Sequence, residues 1–317
     1  MAVKQADLAK LGVIFESSFL GSTTGSLFLF PGAVSLEWQT EFARRDFRTS
    51  VWRQQSEQSF CGNWFEGSIE LELHACEGIA AVLRTFFTTK SIGVVPGTEE
   101  AVLRPWRNDP PTFESFRIRA EFDGHWMEFS GAVADRIRIT ARSRSIVRMT
   151  VEWKAARLTE YTTTPGWTWL EAPRKLATAD VASVKVDTVA HGQVMEFSVE
   201  FSDPKNLTNM SRDGEFTQAT RDGDQTVTGT LIEYFDSALD LPGESRAGTD
   251  VRLDLRLPVQ GDATKFFSIA LPAVRLQRAD QVAFDPADSI LNATFAALQP
   301  SALDDTDELE LEYTIPI

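Results

Sequence analysis

The chain is poor in the residues that most often carry chemistry or covalent staples. Its 317 residues include two cysteines, Cys61 and Cys76, and three histidines, His74, His125 and His191. Two cysteines cannot build the disulfide framework of a small secreted scaffold. A structural zinc site takes about four ligands at defined spacing, and His74, Cys76 and the distant Cys61 fall short of that. A Cys–His catalytic pair needs a third, orienting group, and none is identifiable. There is no GxxxxGK[ST] phosphate loop, no GxGxxG turn and no GxSxG elbow. The expectation is a chain with no catalytic residues, no metal and no cofactor.

Long apolar runs are missing as well. Nothing approaches the roughly 18 residues of a membrane-spanning helix, so no membrane association is expected. The opening MAVKQADLAKLG lacks the uninterrupted apolar core of a secretory signal. The sequons at Asn206, Asn209 and Asn292 then read as chance matches, and a soluble, cytoplasmically made protein is expected.

Positive charge is the last scarcity. Lys and Arg number 31 against 46 Asp and Glu, a net charge of −15. Residues 1–160 carry 19 bases and 20 acids, a net of −1, whereas residues 161–317 carry 12 bases and 26 acids, a net of −14. Affinity for nucleic acid rests on Lys and Arg displacing phosphate counterions, so this balance argues against a nucleic-acid binder. With 43% apolar residues the chain can still bury real cores.

What is abundant is alternation of period two. Phe116, Ile118, Ala120 and Phe122 alternate with Arg117, Arg119, Glu121 and Asp123; Val251, Leu253, Leu255 and Leu257 alternate with Arg252, Asp254 and Arg256. Ile137 and Ile139, and Leu309, Leu311 and Tyr313, behave alike. Each run reads as a half-buried antiparallel strand. In CEGIAAVLRTFF, by contrast, Ile79, Val82, Leu83, Phe86 and Phe87 fall at i, i+3, i+4, i+7 and i+8, which predicts an amphipathic helix over about residues 76–87.

The fold class expected is mainly β: two tandem antiparallel β-sandwich or barrel domains, with that helix flanking the first. Thr-rich TEYTTTPGWTWLEAPRKLATAD, residues 159–180, reads as a linker. The domains are therefore 1–160 and 181–317, with 161–180 between them. Trp167 and Trp169 read as anchors for the linker rather than a sugar platform. The halves look like a repeat, since NWFEGSIELEL aligns with QTVTGTLIEYF, FRIRAEF with VRLDLRL, WMEFSGAVADRIRI with KFFSIALPAVRLQR, and IVRMTVEW with ILNATFAAL, in the same order.

Each half also contains a long polar insertion, at 38–63 and 203–225, read as a loop; loops of this length are functional or disordered. The first holds Arg44, Arg45, Asp46, Arg48, Trp52 and Arg53, and Arg and Trp are favoured at protein interfaces. Glu70/Glu72 and Glu308/Glu310/Glu312 place carboxylates on one strand face, which a glycosidase could use. Alternation alone already explains that spacing.

Three segments resemble the major tail tube protein of long-tailed, non-contractile bacteriophages, in its two-domain form. They are NWFEGSIELELHACEGIAAVLRTFF; the run FESFRIRAEF through IVRMTVEWKA around Phe129-Ser130-Gly131-Ala132-Val133-Ala134-Asp135-Arg136-Ile137; and QTVTGTLIEYFDSALD. The resemblance departs at Leu271-Pro272, where the second half has no Gly matching Gly131. It implies two β-sandwich domains, each with a flanking helix, and trimeric rings that mimic sixfold symmetry. Inner sheets join as a barrel around a lumen, and rings stack into a tube for genome passage.

The implied partners are further copies of the chain, the tape measure, tail terminator and tail tip proteins, and DNA in transient passage. The implied location is the virion tail, assembled in the host cytoplasm. The 38–63 residues named above become candidates for inter-ring contacts. Asp222, Asp224, Glu308, Glu310 and Glu312 become candidates for an acidic lumen, to which the second half is expected to contribute most of the charge. Two alternatives are a carbohydrate-binding or baseplate-type tail module, and a β-rich hydrolase using a carboxylate pair such as Glu70 and Glu72.

Overall fold

The computed structural model describes residues 10–16, 18–29, 32–49, 52–74, 76–95, 98–105, 114–122, 124–171, 183–186, 189–191, 194–210, 216–223, 225–234, 248, 250–259, 262–285, 288–297 and 310–316. These residues form a mainly β molecule built of large antiparallel sheets, of the β-sandwich class. Strands β1 (Lys10–Glu16), β2 (Thr23–Leu29), β3 (Gly32–Thr49) and β4 (Trp52–Glu72) lead into α1 (Glu77–Arg84). Then come β5 (Phe87–Val95), β6 (Thr98–Pro105), β7 (Ser115–Phe122), β8 (His125–Arg142), β9 (Arg148–Ala155) and β10 (Arg157–Tyr161). The short β11 (Leu170–Glu171) precedes β12 (Ser183–Val186), β13 (Val189–His191), β14 (Val194–Ser202), β15 (Lys205–Met210) and β16 (Phe216–Arg221). Last are β17 (Thr226–Tyr234), β18 (Asp250–Val259), β19 (Asp262–Asp285), β20 (Asp288–Ala297) and β21 (Glu310–Pro316).

The strand pairing makes the internal repeat concrete. In the first half the order is β1-β7-β8-β9-β4-β3, and β10 lies beside the N-terminal part of β8. In the second half it is β12-β18-β19-β20-β17-β14, and β21 lies beside the N-terminal part of β19. The bulges repeat too. One falls at Phe116/Ile118 and at Val251/Leu253; another falls at Ala134/Arg136 and at Leu276/Arg278.

Two of the four alignments read from sequence keep their register, with Gly67 matching Gly229 and Phe116 matching Val251. The other two shift. Trp153, opposite Gly67, matches Phe295, opposite Gly229, so the β9/β20 alignment moves by two residues and the β8/β19 alignment by three. A slip of two leaves every side chain on its own face, so alternation alone does not detect it.

The repeat also explains one glycine. A Cβ on Gly229 would sit 2.3 Å from the Phe295 ring and 2.3 Å from the Ser198 carbonyl oxygen. Close packing of a neighbouring aromatic over the strand therefore excludes any side chain there.

Helix α1 is shorter than the apolar pattern predicts. It ends at Arg84 because the Thr85 hydroxyl donates to the Val82 carbonyl at 2.8 Å and the Thr85 N–H bonds the same oxygen. Phe86 is buried in the following turn, and Phe87 opens β5. Ile79, Val82, Leu83 and Phe86 are each at most 3% exposed. Full burial of such side chains contributes roughly 1.5–3 kcal/mol apiece, so this short helix holds by packing rather than by propensity.

The two insertions are hairpins rather than loops. β3 and β4 pair from Gly32 opposite Leu71 out to Thr49 opposite Trp52. β9 flanks β4 only over Phe65–Glu72, so beyond that stretch the ribbon is two-stranded. β15 and β16 form a second hairpin.

The expected linker begins as β10 and continues to β11, which pairs parallel with β2; residues 172–180 lie outside the described ones. Trp167 packs edge-on against Tyr161 at 5.4 Å and against Trp169 at 5.9 Å, with the Arg119 guanidinium 5.1 Å over its ring. These aromatics anchor one another instead of presenting a flat row. Among the described residues, no helix is long and apolar enough to cross a membrane.

Candidate assembly surfaces

The halves meet strand to strand. β14 runs antiparallel to the C-terminal part of β8, from Glu196 opposite Arg142 to Ser202 opposite Arg136. Ile137, Ile139 and Ala141 join Phe197, Val199 and Phe201 on the buried face. The wet face carries opposite charges: Arg136 Nε lies 3.3 Å from Glu200, and Arg142 Nε lies 3.0 Å from Glu196. The ladder continues through Arg136–Glu152 at 3.1 Å and through Arg148–Glu70. Exposed pairs of this kind contribute about 0–1 kcal/mol each. Their use is in register, because a slip of one residue would send the Phe and Ile side chains to water. The result is one antiparallel sheet ordered β3-β4-β9-β8-β14-β17-β20-β19 across both halves.

A buried charge cluster closes the lower end of this seam. Lys205 is fully buried, with Nζ 3.1 Å from an Asp203 carboxylate oxygen and its N–H bonds donated to the carbonyls of Ala134 at 2.8 Å and Asp203 at 3.2 Å. The same ammonium sits 4.3 Å over the Phe86 ring. The Asp135 carboxylate accepts from the Lys205 backbone N–H at 3.1 Å and pairs with Lys154 at 2.7 Å. Burial pushes the Asp135 carboxyl above its ordinary range, against the opposing pull of Lys154 and Lys205. The hairpin β15–β16 extends this contact. Phe216 meets Trp64 edge-on at 6.2 Å, and Ala219 packs with Val133.

A second cluster sits where β8 bends at Gly131, whose φ is +64°. Glu16, fully buried, accepts from the Ser115 hydroxyl, from Arg117 Nε at 2.6 Å and from the Gly131 N–H at 3.0 Å. Arg117 and Arg119 both donate to Glu128, at 2.9 and 2.6 Å. Burial raises the Glu16 carboxyl above the ordinary glutamate range, although each of those donors pulls it back down.

Two charge clusters, one long two-stranded ribbon and a duplicated sheet whose end strand β3 lacks a second partner among the described residues describe a building block. Correspondingly, the phage tail tube protein family model matches residues 7–314. The chain belongs to the phage tail tube protein family. It is therefore a structural component of a phage tail, a virion part that self-assembles into a tube and associates with other tail proteins. No curated protein matches the sequence.

In this tail tube subunit the candidate contact residues all fall on the β3–β4 ribbon. Arg44 is opposite Gln58, Arg45 opposite Glu57, and Asp46 opposite Gln55; Arg48 faces Arg53 directly, one rung from Trp52 at the end of the ribbon. Asp222 is exposed beside the β15–β16 hairpin. Glu310 and Glu312 lie in β21, opposite Ala270 and Ser268 of β19. Asp224 and Glu308 lie outside the described residues.

His74 is buried with Nε2 3.6 Å from Glu72, and Cys76 is buried at the start of α1. Among the described residues, no group of three or more His, Cys, Asp or Glu side chains could hold a metal. Sequence reasoning missed both charge clusters. Their only trace was a lone acid at the end of an apolar run, Glu16 after LGVIF and Asp135 after GAVA.

Proposed function

We propose that three copies of this subunit close into a ring of pseudo-sixfold symmetry, that rings stack, and that the genome passes through an acidic lumen. The observation that carries this is the eight-stranded sheet. Two equivalent four-stranded units, taken as the domains 1–160 and 181–317 with a linker at 161–180, are fused edge to edge. Open strand edges are a liability, and repeating the same head-to-tail junction between copies removes them by closing a ring.

Helix α1 and strands β1, β7, β12 and β18 share a core with the buried face of this sheet, so in the proposed ring the wet face lines the lumen. The described side chains there balance Arg136, Arg138, Arg142 and Arg148 against Glu66, Glu70, Glu152, Glu196 and Glu200. Such a wall offers phosphate little net attraction. In this proposal the negative excess comes mainly from second-half acids, with Asp222, Asp224, Glu308, Glu310 and Glu312 as candidates, and it keeps DNA from sticking.

The β3–β4 ribbon supplies the contact between stacked rings. The tape measure, terminator and tip proteins are the further partners, met during assembly in the host cytoplasm. Electron microscopy of the purified protein, alone or with tail initiation components, should show rings or uniform tubes. A strictly monomeric protein under every condition overturns the proposal.

A further inference from the structure

The internal repeat contains one seam and predicts a second. β8 has β9 on one side of residues 136–142 and β14 on the other. Its counterpart β19 has β20 along the corresponding residues 278–285, with no strand on the other side among the described residues. β14 in turn has β17 on one side and β8 on the other. Its counterpart β3 has β4 alone among the described residues. The two incomplete edges are thus the two partners of a junction that the chain already makes once.

We propose that β19 of one copy pairs antiparallel with β3 of a second copy, in the register that β8 and β14 show. The inference rests on the ring proposed above and specifies its interface. Transferring the register through the matched bulges and glycines gives Gln39 opposite Arg278, Trp38 opposite Ala279, Glu37 opposite Asp280 and Leu36 opposite Gln281. Within the chain, Arg136 reaches diagonally to Glu200 at 3.3 Å. The residues at those two register positions are Arg278 and Glu37, so the same two residue types recur there, while the directly opposed Glu200 and Arg138 are replaced by Glu37 and Asp280. The pairing is heterologous, head to tail, and therefore propagates until the ring closes. The buried cluster does not recur: Asp135 and Lys154 correspond to Gln277 and Ala296, leaving the intermolecular seam the less charged of the two.

Two measurements test this. Arg278→Glu, which replaces the cation with an acid beside Glu37, should weaken association by about fivefold per seam, the upper end for an exposed pair, and adding Glu37→Arg should restore ring formation in sedimentation and electron microscopy. In a Cys61→Ser background, Glu37→Cys with Asp280→Cys should give oxidised dimers and trimers on a denaturing gel, while Glu37→Cys with Ala279→Cys, which lies on the opposite face, should not. Unchanged thermal midpoints show that each variant still folds. Rings in the parent protein with no 37–280 cross-link and no rescue by the double exchange overturn the seam and leave the ring standing. A parent protein that forms no rings overturns both.

Discussion

The cluster at the base of the intramolecular seam makes the sharpest stability prediction. Lys205→Met keeps most of the apolar stem beneath Phe86 and deletes the ammonium. The deletion takes the cation from 3.1 Å beside the Asp203 carboxylate and removes N–H donors from two carbonyls, all in a site where Lys205 and Asp203 have no solvent exposure. Removing one partner of a buried pair costs about 3–5 kcal/mol, because the remaining charge stays desolvated. At roughly 2–4 °C per kcal/mol for large domains, the thermal midpoint should fall by at least about 6 °C, as followed by circular dichroism. Asp203→Asn combined with Lys205→Met should recover most of this, since neutral replacement of a whole buried pair is often close to neutral. A Lys205→Met midpoint within about 2 °C of the parent would refute the argument, and so would a double variant worse than the single.

Gly229→Ala should destabilise the chain by about 1–3 kcal/mol in urea titration, because the added methyl meets the Phe295 ring and the Ser198 carbonyl, both at 2.3 Å. For Glu16 the folded carboxyl is raised by burial. Its contribution to stability is therefore full below the ordinary glutamate range and declines as pH rises through the folded value. The deficit of Glu16→Gln, measured by thermal denaturation in a pH series, should shrink across that window, and a deficit that grows contradicts the assignment. Arg44→Glu with Arg45→Glu should leave the melting curve and the rings intact but shorten or abolish tubes in micrographs. Normal tubes would remove the ribbon from the stacking contact.

The strands were legible wherever one face is dry and the other wet, as in Phe116–Phe122 and Val251–Leu257, because burial imposes the period on the sequence. The helix was legible through Ile79, Val82 and Leu83, while its early end depended on one hydroxyl, that of Thr85. The ribbon from Trp38 to Asn63 was not legible as strand, since its sequence does not alternate and, among the described residues, no third strand pairs beside it. The seam between β8 and β14 was also hidden. Pairing between residues this far apart leaves only complementary Arg and Glu positions, and each of those reads separately as solvated surface. Lys205 in KNLTNM looks like any exposed lysine, and only the fold shows that it is enclosed.

The fused sheet also changes what assembly has to overcome. Bringing free subunits together costs an estimated 4–15 kcal/mol of translational and rotational freedom per association. A six-unit ring of single domains meets that cost at every junction, but in the proposed ring alternate junctions are completed when the chain folds. Those junctions carry the Lys205 cluster and are covalently backed, so they form at any protein concentration. The remaining junctions depend on encounter. The ring should then have two classes of joint with different lifetimes, and dilution or force should release whole chains along β3 and β19 before it opens any chain between β8 and β14.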